Sequence, residues 1–264
     1  MDITTFQDTI WSYYHDHGRS MPWRTSTDPY YVIVSEIMLQ QTQVSRVVPK
    51  FELFIHEFPT IDNLARAPLS EVLQVWVGLG YNRRAKYLHM AAQQIEQEYG
   101  GQIPRTLDEL IKLPGIGHNT AAAIMNYAYN TPVVFIETNI RTVYLHHFFP
   151  NETDVHDKQL LPLVESTLPV DNPREWFWAI MDYGSHIKSQ HPNPSRRSKH
   201  HSKQSKFEGS SRQLRGKILK LLLKGPATYD ILLSTLEDSR TPKIITNLEE
   251  EKLIKIHEGI VSLD

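Results

Sequence analysis

The residues of this chain whose types and spacing could do chemistry are two carboxylates and a glycine hairpin. Glu36 lies within Ser35-Glu36-Ile37-Met38-Leu39-Gln40-Gln41-Thr42-Gln43-Val44, inside an apolar run of helical period. Burial in such a run disfavours the charged form, so the carboxyl can hold and donate a proton near neutral pH. Glu137 lies in Phe135-Ile136-Glu137-Thr138-Asn139, at the predicted start of a helix whose dipole favours an anion. Upstream of it, Leu113-Pro114-Gly115-Ile116-Gly117 sets two glycines one residue apart after a proline. That turn is tight enough to put backbone N–H groups on its surface, and small residues at 120–124 open the next helix. Exposed N–H groups at a helix start bind anions, and the repeating anion that fits such a hairpin is a DNA phosphate.

The elements that must position these groups read as helices. Apolar residues recur at helical spacing over 6–14, 30–44, 47–58, 69–77, 84–99, 106–111, 120–129, 139–149, 157–168 and 173–183. Stops fall between them at Pro59, Pro68, Gly78-Leu79-Gly80, Gly100-Gly101, Pro114 and Pro132. Residues 1–187 therefore form one predicted domain, a mainly α bundle of many short helices. Residues 188–211 change to Ser, Arg, Lys, His, Pro and Asn and read as a basic linker or DNA-contacting segment. Residues 212–264 form a small α+β domain: helices over 214–223 and 229–236, the second capped by Thr228, and a third from Thr241-Pro242 to about Glu251. Residues 253–257 and 259–263 then alternate as a hairpin around Glu258-Gly259, which completes a winged-helix-like pattern. The third helix carries Glu249-Glu250-Glu251, a poor surface for a major groove, so this domain is expected to contact DNA in an accessory way or to contact a protein.

Composition excludes several classes. The 264 residues carry a net charge of −2, are 40% hydrophobic and contain no cysteine. Disulfides, thiolate zinc sites and cysteine-ligated iron–sulfur clusters are thus excluded, and the thirteen histidines show no metal-ligand spacing, so neither metal nor cofactor is expected. No apolar run reaches the roughly 18 residues of a bilayer span, and no signal-peptide pattern is present, so no membrane partner is expected and the expected location is cytoplasmic. The near-neutral total hides an asymmetry: 188–224 holds seven Lys and four Arg against the single acid Glu208. Such a block neutralises phosphates and makes binding depend on salt.

Four motifs in order carry a resemblance: Met21-Pro22-Trp23-Arg24, the Ser35–Val44 run, Gly78-Leu79-Gly80-Tyr81 and Leu113–Gly117. Over about residues 5–187 the chain resembles the helix-hairpin-helix superfamily of DNA glycosylases, and within it those that remove adenine opposite 8-oxoguanine. The resemblance implies a helix-hairpin-helix bundle of two helical subdomains and a partner that is double-stranded DNA with a mismatch or lesion, bound by a monomer. It makes Glu36 the acid at the purine ring nitrogen and Glu137 the carboxylate that stabilises an oxocarbenium ion, with Asn139 beside it. This division suits the reaction, because breaking an N-glycosidic bond develops positive charge on the sugar and negative charge on the base. Gln41 matches the family's wedge into the gap left by a flipped base. Arg19, Trp23, Arg24 and Leu39 match pocket positions, with Asn119, Trp178 and Met181 completing the pocket. Tyr81, Asn82, Leu113, Gly115, Gly117 and the basic residues Arg196, Arg197, Lys199, Lys203 and Lys206 are the expected DNA contacts.

The chain also departs from that pattern. The family carboxylate at position 137 is usually aspartate, one methylene shorter. Asn119 stands where the bifunctional endonuclease III branch has lysine, and an amide cannot form a Schiff base, so lyase chemistry through it is excluded. Asn82 replaces a second aromatic after Tyr81. Trp178 replaces the Glu or Gln that reads the adenine edge, and an indole cannot accept from an exocyclic amine. The four-cysteine cluster loop and the Nudix-like domain are missing. Three readings result: a clusterless monofunctional adenine glycosylase, the same chemistry on thymine, uracil or another damaged base, and a non-catalytic binder of distorted DNA.

Overall fold

All ten helical stretches expected from apolar spacing are present, most within a few residues of the expected ends, in a computed structural model that describes residues 1–201 and 206–264. They are α1 (Ile3–His17), α2 (Pro29–Leu39), α3 (Val44–Glu57), α5 (Leu69–Trp76), α6 (Arg83–Tyr99), α7 (Leu107–Ile111), α8 (His118–Tyr127), α9 (Thr138–Phe148), α10 (Asp157–Thr167) and α11 (Pro173–Gln190). The short α4 (Ile61–Arg66) escapes periodicity because six residues make under two turns, though Thr60 accepts from the Asn63 N–H as its cap. The stretch expected over 30–44 ends five residues early. Helix α2 stops at Leu39, the chain turns through Gln41 at φ 55°, and α3 begins at Val44.

The chain divides into two compact units, residues 1–36, 105–112 and 116–203, and residues 37–104, 113–115 and 204–264. In the first, α9 and α11 pack together, with α1 and α8 against α11 and α10 against α9. Phe6, Tyr144, Trp176 and Phe177 are fully buried at its centre. Aromatic pairs knit that core, with Phe6 5.1 Å from Tyr144 and 6.1 Å from Trp176 between ring centroids.

In the second unit α4 and α5 pack on α6 around Leu64, Trp76 and Leu88, all fully buried. The same unit contains the C-terminal winged-helix-like part. Its helices are α12 (Ser211–Leu222), α13 (Tyr229–Leu236) and α14 (Thr241–Glu250), and Thr228 caps α13 by accepting from Ile231 N–H. Strands β2 (Ile254–His257) and β3 (Ile260–Leu263) pair antiparallel through a Glu258-Gly259 turn with both φ values positive, as the hairpin signal requires. A two-residue strand β1 (Ala227–Thr228), too short for any alternation, adds to β3 and gives the order β1-β3-β2.

Part of the 188–211 segment is ordered structure rather than a plain linker. Helix α11 runs on to Gln190, and Pro194–Arg197 forms a single 3-10 turn packed on α9. Ser195 and Ser198 are buried, and Ser198 bridges to Val155 through backbone hydrogen bonds on either side of it.

Candidate active site

The first unit gathers the two carboxylates. Glu137 is the N-cap of α9: its Oε1 accepts from the backbone N–H of Asn139 at 2.5 Å and of Ile140 at 3.1 Å. Those N–H groups have no partner inside the helix, so the anion and the helix start satisfy each other. The other Glu137 oxygen accepts from the Asn139 side-chain amide at 3.4 Å. Burial raises the Glu137 carboxyl above its ordinary value, while the two backbone donors, Lys188 and the Asn139 amide oppose that rise.

Glu36 lies on the last full turn of α2. Burial pushes its carboxyl up to about 8, the Glu137 charge adds to the rise, and Arg24 only partly offsets it. Burial thus raises both carboxyls, which lie within electrostatic reach of each other; at Glu137 two backbone donors, Lys188 and the Asn139 amide work against the rise, and at Glu36 Arg24 does.

The surrounding residues differ in part from the sequence expectation. Arg24, expected in the base pocket, is committed to Asp182: its two terminal nitrogens donate to the two carboxylate oxygens at 2.9 Å each. Arg19 adds its backbone N–H and its Nε to the same carboxylate, both at 2.8 Å. Burial works against the charge on Asp182, but hydrogen bonds and charge from Arg24, then Arg19, hold its carboxyl below the ordinary range. Asp182 is the buried anchor of this wall, and its only sequence signal was a place beside Tyr183-Gly184. Trp178 lies under Arg24, whose guanidinium is 5.4 Å from the ring centroid, and stacks on Tyr127 at 6.2 Å with planes 19° apart.

Tyr127 is a residue beside the two carboxyls that the sequence did not single out. It is buried at 7% exposure, and burial, then Glu36 and Glu137, raise its phenol well above the ordinary value. Its phenol therefore stays protonated at neutral pH. It reads as a core aromatic at the end of an alanine-rich helix, and nothing in its spacing marks it otherwise. Trp23 is buried at 8% exposure in a 3-10 turn over Pro22–Arg24. Asn119 donates to the Ile136 carbonyl at 2.8 Å, which ties α8 to the strand-like approach to Glu137. Met181 meets the Asn139 amide through its sulfur at 3.5 Å.

The second unit holds a different group. Leu39 ends α2 half-buried, and Gln41 is exposed at φ 55°. Tyr81, at φ 48°, follows the Gly78–Gly80 turn, and Asn82 starts α6. Non-glycine residues in this left-handed region cost about 1 kcal/mol or more and persist only where neighbours enforce them. The enforcer is Arg84, buried at 8% exposure. Its guanidinium donates to the carbonyls of Ile37 at 2.8 Å, Met38 at 2.9 Å, Gln40 at 2.6 Å and Gly80 at 3.2 Å, and to Thr42 Oγ1 at 2.9 Å. It also lies 5.4 Å from the ring centroids of both Trp76 and Tyr81. Burial lowers its pKa to about 10, opposed by Tyr81, so it remains charged at neutral pH.

At the hairpin, Leu113 is buried, which makes it an apolar anchor rather than a contact. Gly115 has φ 76°, and a Cβ there would stand 2.7 Å from Tyr87 Cβ, so only glycine fits. Gly117 is the N-cap of α8 with open space where a Cβ would be. In the basic segment Arg196 and Lys199 are exposed, as is Lys206, and Lys203 lies outside the described residues. Arg197 differs: it donates to the Leu145 carbonyl at 2.7 Å and to that of Pro150, and so closes the end of α9 instead of facing solvent. Among the described residues no three His, Asp or Glu side chains converge as metal ligands, and no helix is long and apolar enough to cross a membrane.

Comparison with known proteins agrees with this geometry. The adenine DNA glycosylase of Buchnera aphidicola subsp. Baizongia pistaciae is 38% identical over 189 residues, covering 71% of this chain and 54% of its own length. That of Mycolicibacterium smegmatis is 38% identical over 190 residues, covering 71% and 64%. The chain thus spans somewhat over half the length of these curated relatives. Among solved structures, a thermostable thymine-DNA glycosylase superposes with a TM-score of 0.65 at 26% identity, covering 73% of this chain and 90% of that one. Residues 34–165 match the profile of the HhH-GPD superfamily base excision DNA repair proteins. With both carboxylates, the hairpin and the bundle in place, the chain belongs to that superfamily.

Proposed function

We propose that this protein is a monofunctional DNA glycosylase that hydrolyses the N-glycosidic bond of a flipped base in duplex DNA, with adenine opposite 8-oxoguanine or guanine as its first candidate substrate. The observation that carries the reading is the pair of carboxyls within electrostatic reach, Glu36 raised to about 8 and Glu137 accepting from the N–H groups at the start of α9. Glu36 holds a proton near neutral pH and gives it to a ring nitrogen of the purine. The C1′–N bond then breaks with its electron pair on the protonated base, and the sugar becomes an oxocarbenium ion. Glu137, whose carboxylate accepts from the N–H groups at the start of α9, stabilises that cation. Water adds to C1′ and loses a proton, which leaves an abasic site and lets Glu36 be reprotonated.

In the second unit the strained Gln41 and Tyr81 turns, braced by Arg84, suit a wedge that fills the vacated stack and a contact to the opposite strand. The Gly115–Gly117 turn suits a phosphate, and the exposed Arg196, Lys199 and Lys206 add charge for the DNA backbone. We further propose that the enzyme acts as a monomer in the cytoplasm, without metal, and without a cluster, for which it has no thiolate ligand.

One observation favours a second substrate. Trp178, stacked on Tyr127 under Arg24, presents an aromatic face where the adenine-reading acceptor is expected. That suits thymine, uracil or a larger damaged base, and the structural similarity to a thymine-DNA glycosylase supports the same reading. Duplexes with adenine, thymine, uracil or hypoxanthine opposite guanine or 8-oxoguanine, treated with alkali after incubation, separate the two. Alkali-labile sites from adenine support the first substrate; sites from thymine or uracil alone support the second. No labile site from any duplex overturns the enzymatic reading in favour of a binder of distorted DNA.

A further inference from the structure

Lys188 is a basic side chain inside the catalytic unit that the proposed mechanism does not use. It lies near the end of α11, half-buried, and its Nζ donates to Asn139 Oδ1 at 2.5 Å. The same asparagine reaches Glu137 Oε2 through Nδ2 at 3.4 Å. Lys188, Asn139 and Glu137 thus form a chain in which each member has one donor or acceptor facing the next.

Chemistry fixes the direction of this chain. An ammonium has three donors and no acceptor, so it can face only the oxygen of the amide. The opposite end, the NH₂ group, must then face Glu137. Packing enforces the same arrangement. Gly184 stands one turn before Lys188 on the same face of α11, and a Cβ there would lie 2.8 Å from the Asn139 carbonyl oxygen and 2.9 Å from Asn139 Cβ. The missing side chain lets α11 approach α9 closely enough for Met181 and Lys188 to hold the amide from two sides, with Met181 sulfur 3.5 Å from Nδ2.

We infer that Lys188 is a positioning residue: its ammonium locks the Asn139 amide with the NH₂ end toward Glu137 and supplies the positive charge that keeps this carboxylate ionised for the transition state. The inference rests on the glycosylase reading and adds a residue to it. Burial works against the charge on Lys188, Glu137 favours it, and Arg19 opposes it. Glu137 in turn is subject to Lys188 from α11, the Asn139 amide from α9, and its fellow carboxyl Glu36 from α2, with the Tyr127 phenol of α8 in the same field. Lys188 is therefore the cation of this group that favours the Glu137 anion, since Arg24 and Arg19 are bound to Asp182. Its role as a donor uses the protonated amine, not the free amine that a Schiff base requires.

The test is single-turnover excision between pH 5 and 9, on whichever duplex the wild-type protein processes, for Lys188→Met, Lys188→Arg and Lys188→Gln. Loss of the cation raises the Glu137 carboxyl, so the acid limb of the rate profile moves to higher pH. The expected shift for Lys188→Met is about one pH unit, equivalent to about a tenfold lower rate below the midpoint. Lys188→Arg returns the limb to its wild-type position. Should Lys188→Met fail to fold, Lys188→Gln still donates to Asn139 without a charge and shows the same shift. An acid limb unmoved in the uncharged variants, or an equal loss at every pH that arginine does not rescue, overturns the inference while wild-type excision preserves the glycosylase reading. Absence of excision by the wild-type protein on every duplex overturns both.

Discussion

At the scale of residues, the site works by treating two identical functional groups differently. Burial raises both, but at Glu137 backbone donors and a nearby cation oppose the rise, whereas at Glu36 the Glu137 charge adds to it. The arrangement costs stability. A carboxyl whose folded pKa lies above its unfolded value binds more protons when folded, so its contribution falls as pH rises from about 4.5 toward about 8. Glu36→Gln removes that penalty. Its melting temperature is therefore expected to match the wild type near pH 4 and to exceed it by several degrees at pH 8, in thermal unfolding followed by circular dichroism; an equal difference at both pH values contradicts the assignment. The identity of this pair was legible in the sequence, because an acid inside an apolar run and an acid at a helix start each carry a local physical signature. Tyr127 and Asp182 were not legible, since a tyrosine and an aspartate in core-facing helices look the same whether they serve packing or chemistry. Their roles arise only from what α2, α8 and α11 bring to them.

At the scale of elements, the turns matter more than the helices. The Gln40–Gln43 break between α2 and α3 and the Gly78–Tyr81 turn before α6 both end on the Arg84 guanidinium. Apolar periodicity ran over the first break, because a turn of four residues leaves the spacing of hydrophobic positions almost undisturbed. The bracing arginine was also invisible, reading as one of two basic residues at a helix start. Replacing it with methionine leaves several buried carbonyls unpaired, at about 1–3 kcal/mol each before relaxation. Arg84→Met is expected to lower stability by about 3 kcal/mol in urea unfolding and to weaken binding to a mismatched duplex more than to a perfectly paired one. A variant with wild-type stability and unchanged discrimination would show that Gln41 and Tyr81 hold their conformations without it. Other elements were readable because their signals are local: Thr228 capping α13 and the Glu258-Gly259 hairpin turn both form as their residue types require.

At the scale of the whole molecule, the chain keeps the helix-hairpin-helix core while changing what surrounds it. The Pro194–Arg197 turn lies on α9, with Arg197 closing that helix. The C-terminal part packs on α6 within its own unit: Lys86 donates to the carbonyls of Glu251 at 2.6 Å and Lys252 at 2.9 Å, and Arg212 donates to the Tyr81 hydroxyl. Helix order, α4 aside, and the winged-helix-like end could be read from periodicity and caps. The division into units could not, because residues 37–104 and 204–264 associate through contacts distant in sequence. In the proposed mechanism the transition-state charge is carried by Glu137. The most direct measurement is single-turnover release of the excised base by wild type and Glu137→Gln on the duplex the wild type prefers, with binding affinity measured alongside. The expected result is a loss of about a thousandfold or more in rate with affinity nearly unchanged, since the amide keeps the size of the side chain and loses the charge. A Glu137→Gln protein that excises at the wild-type rate would contradict the mechanism.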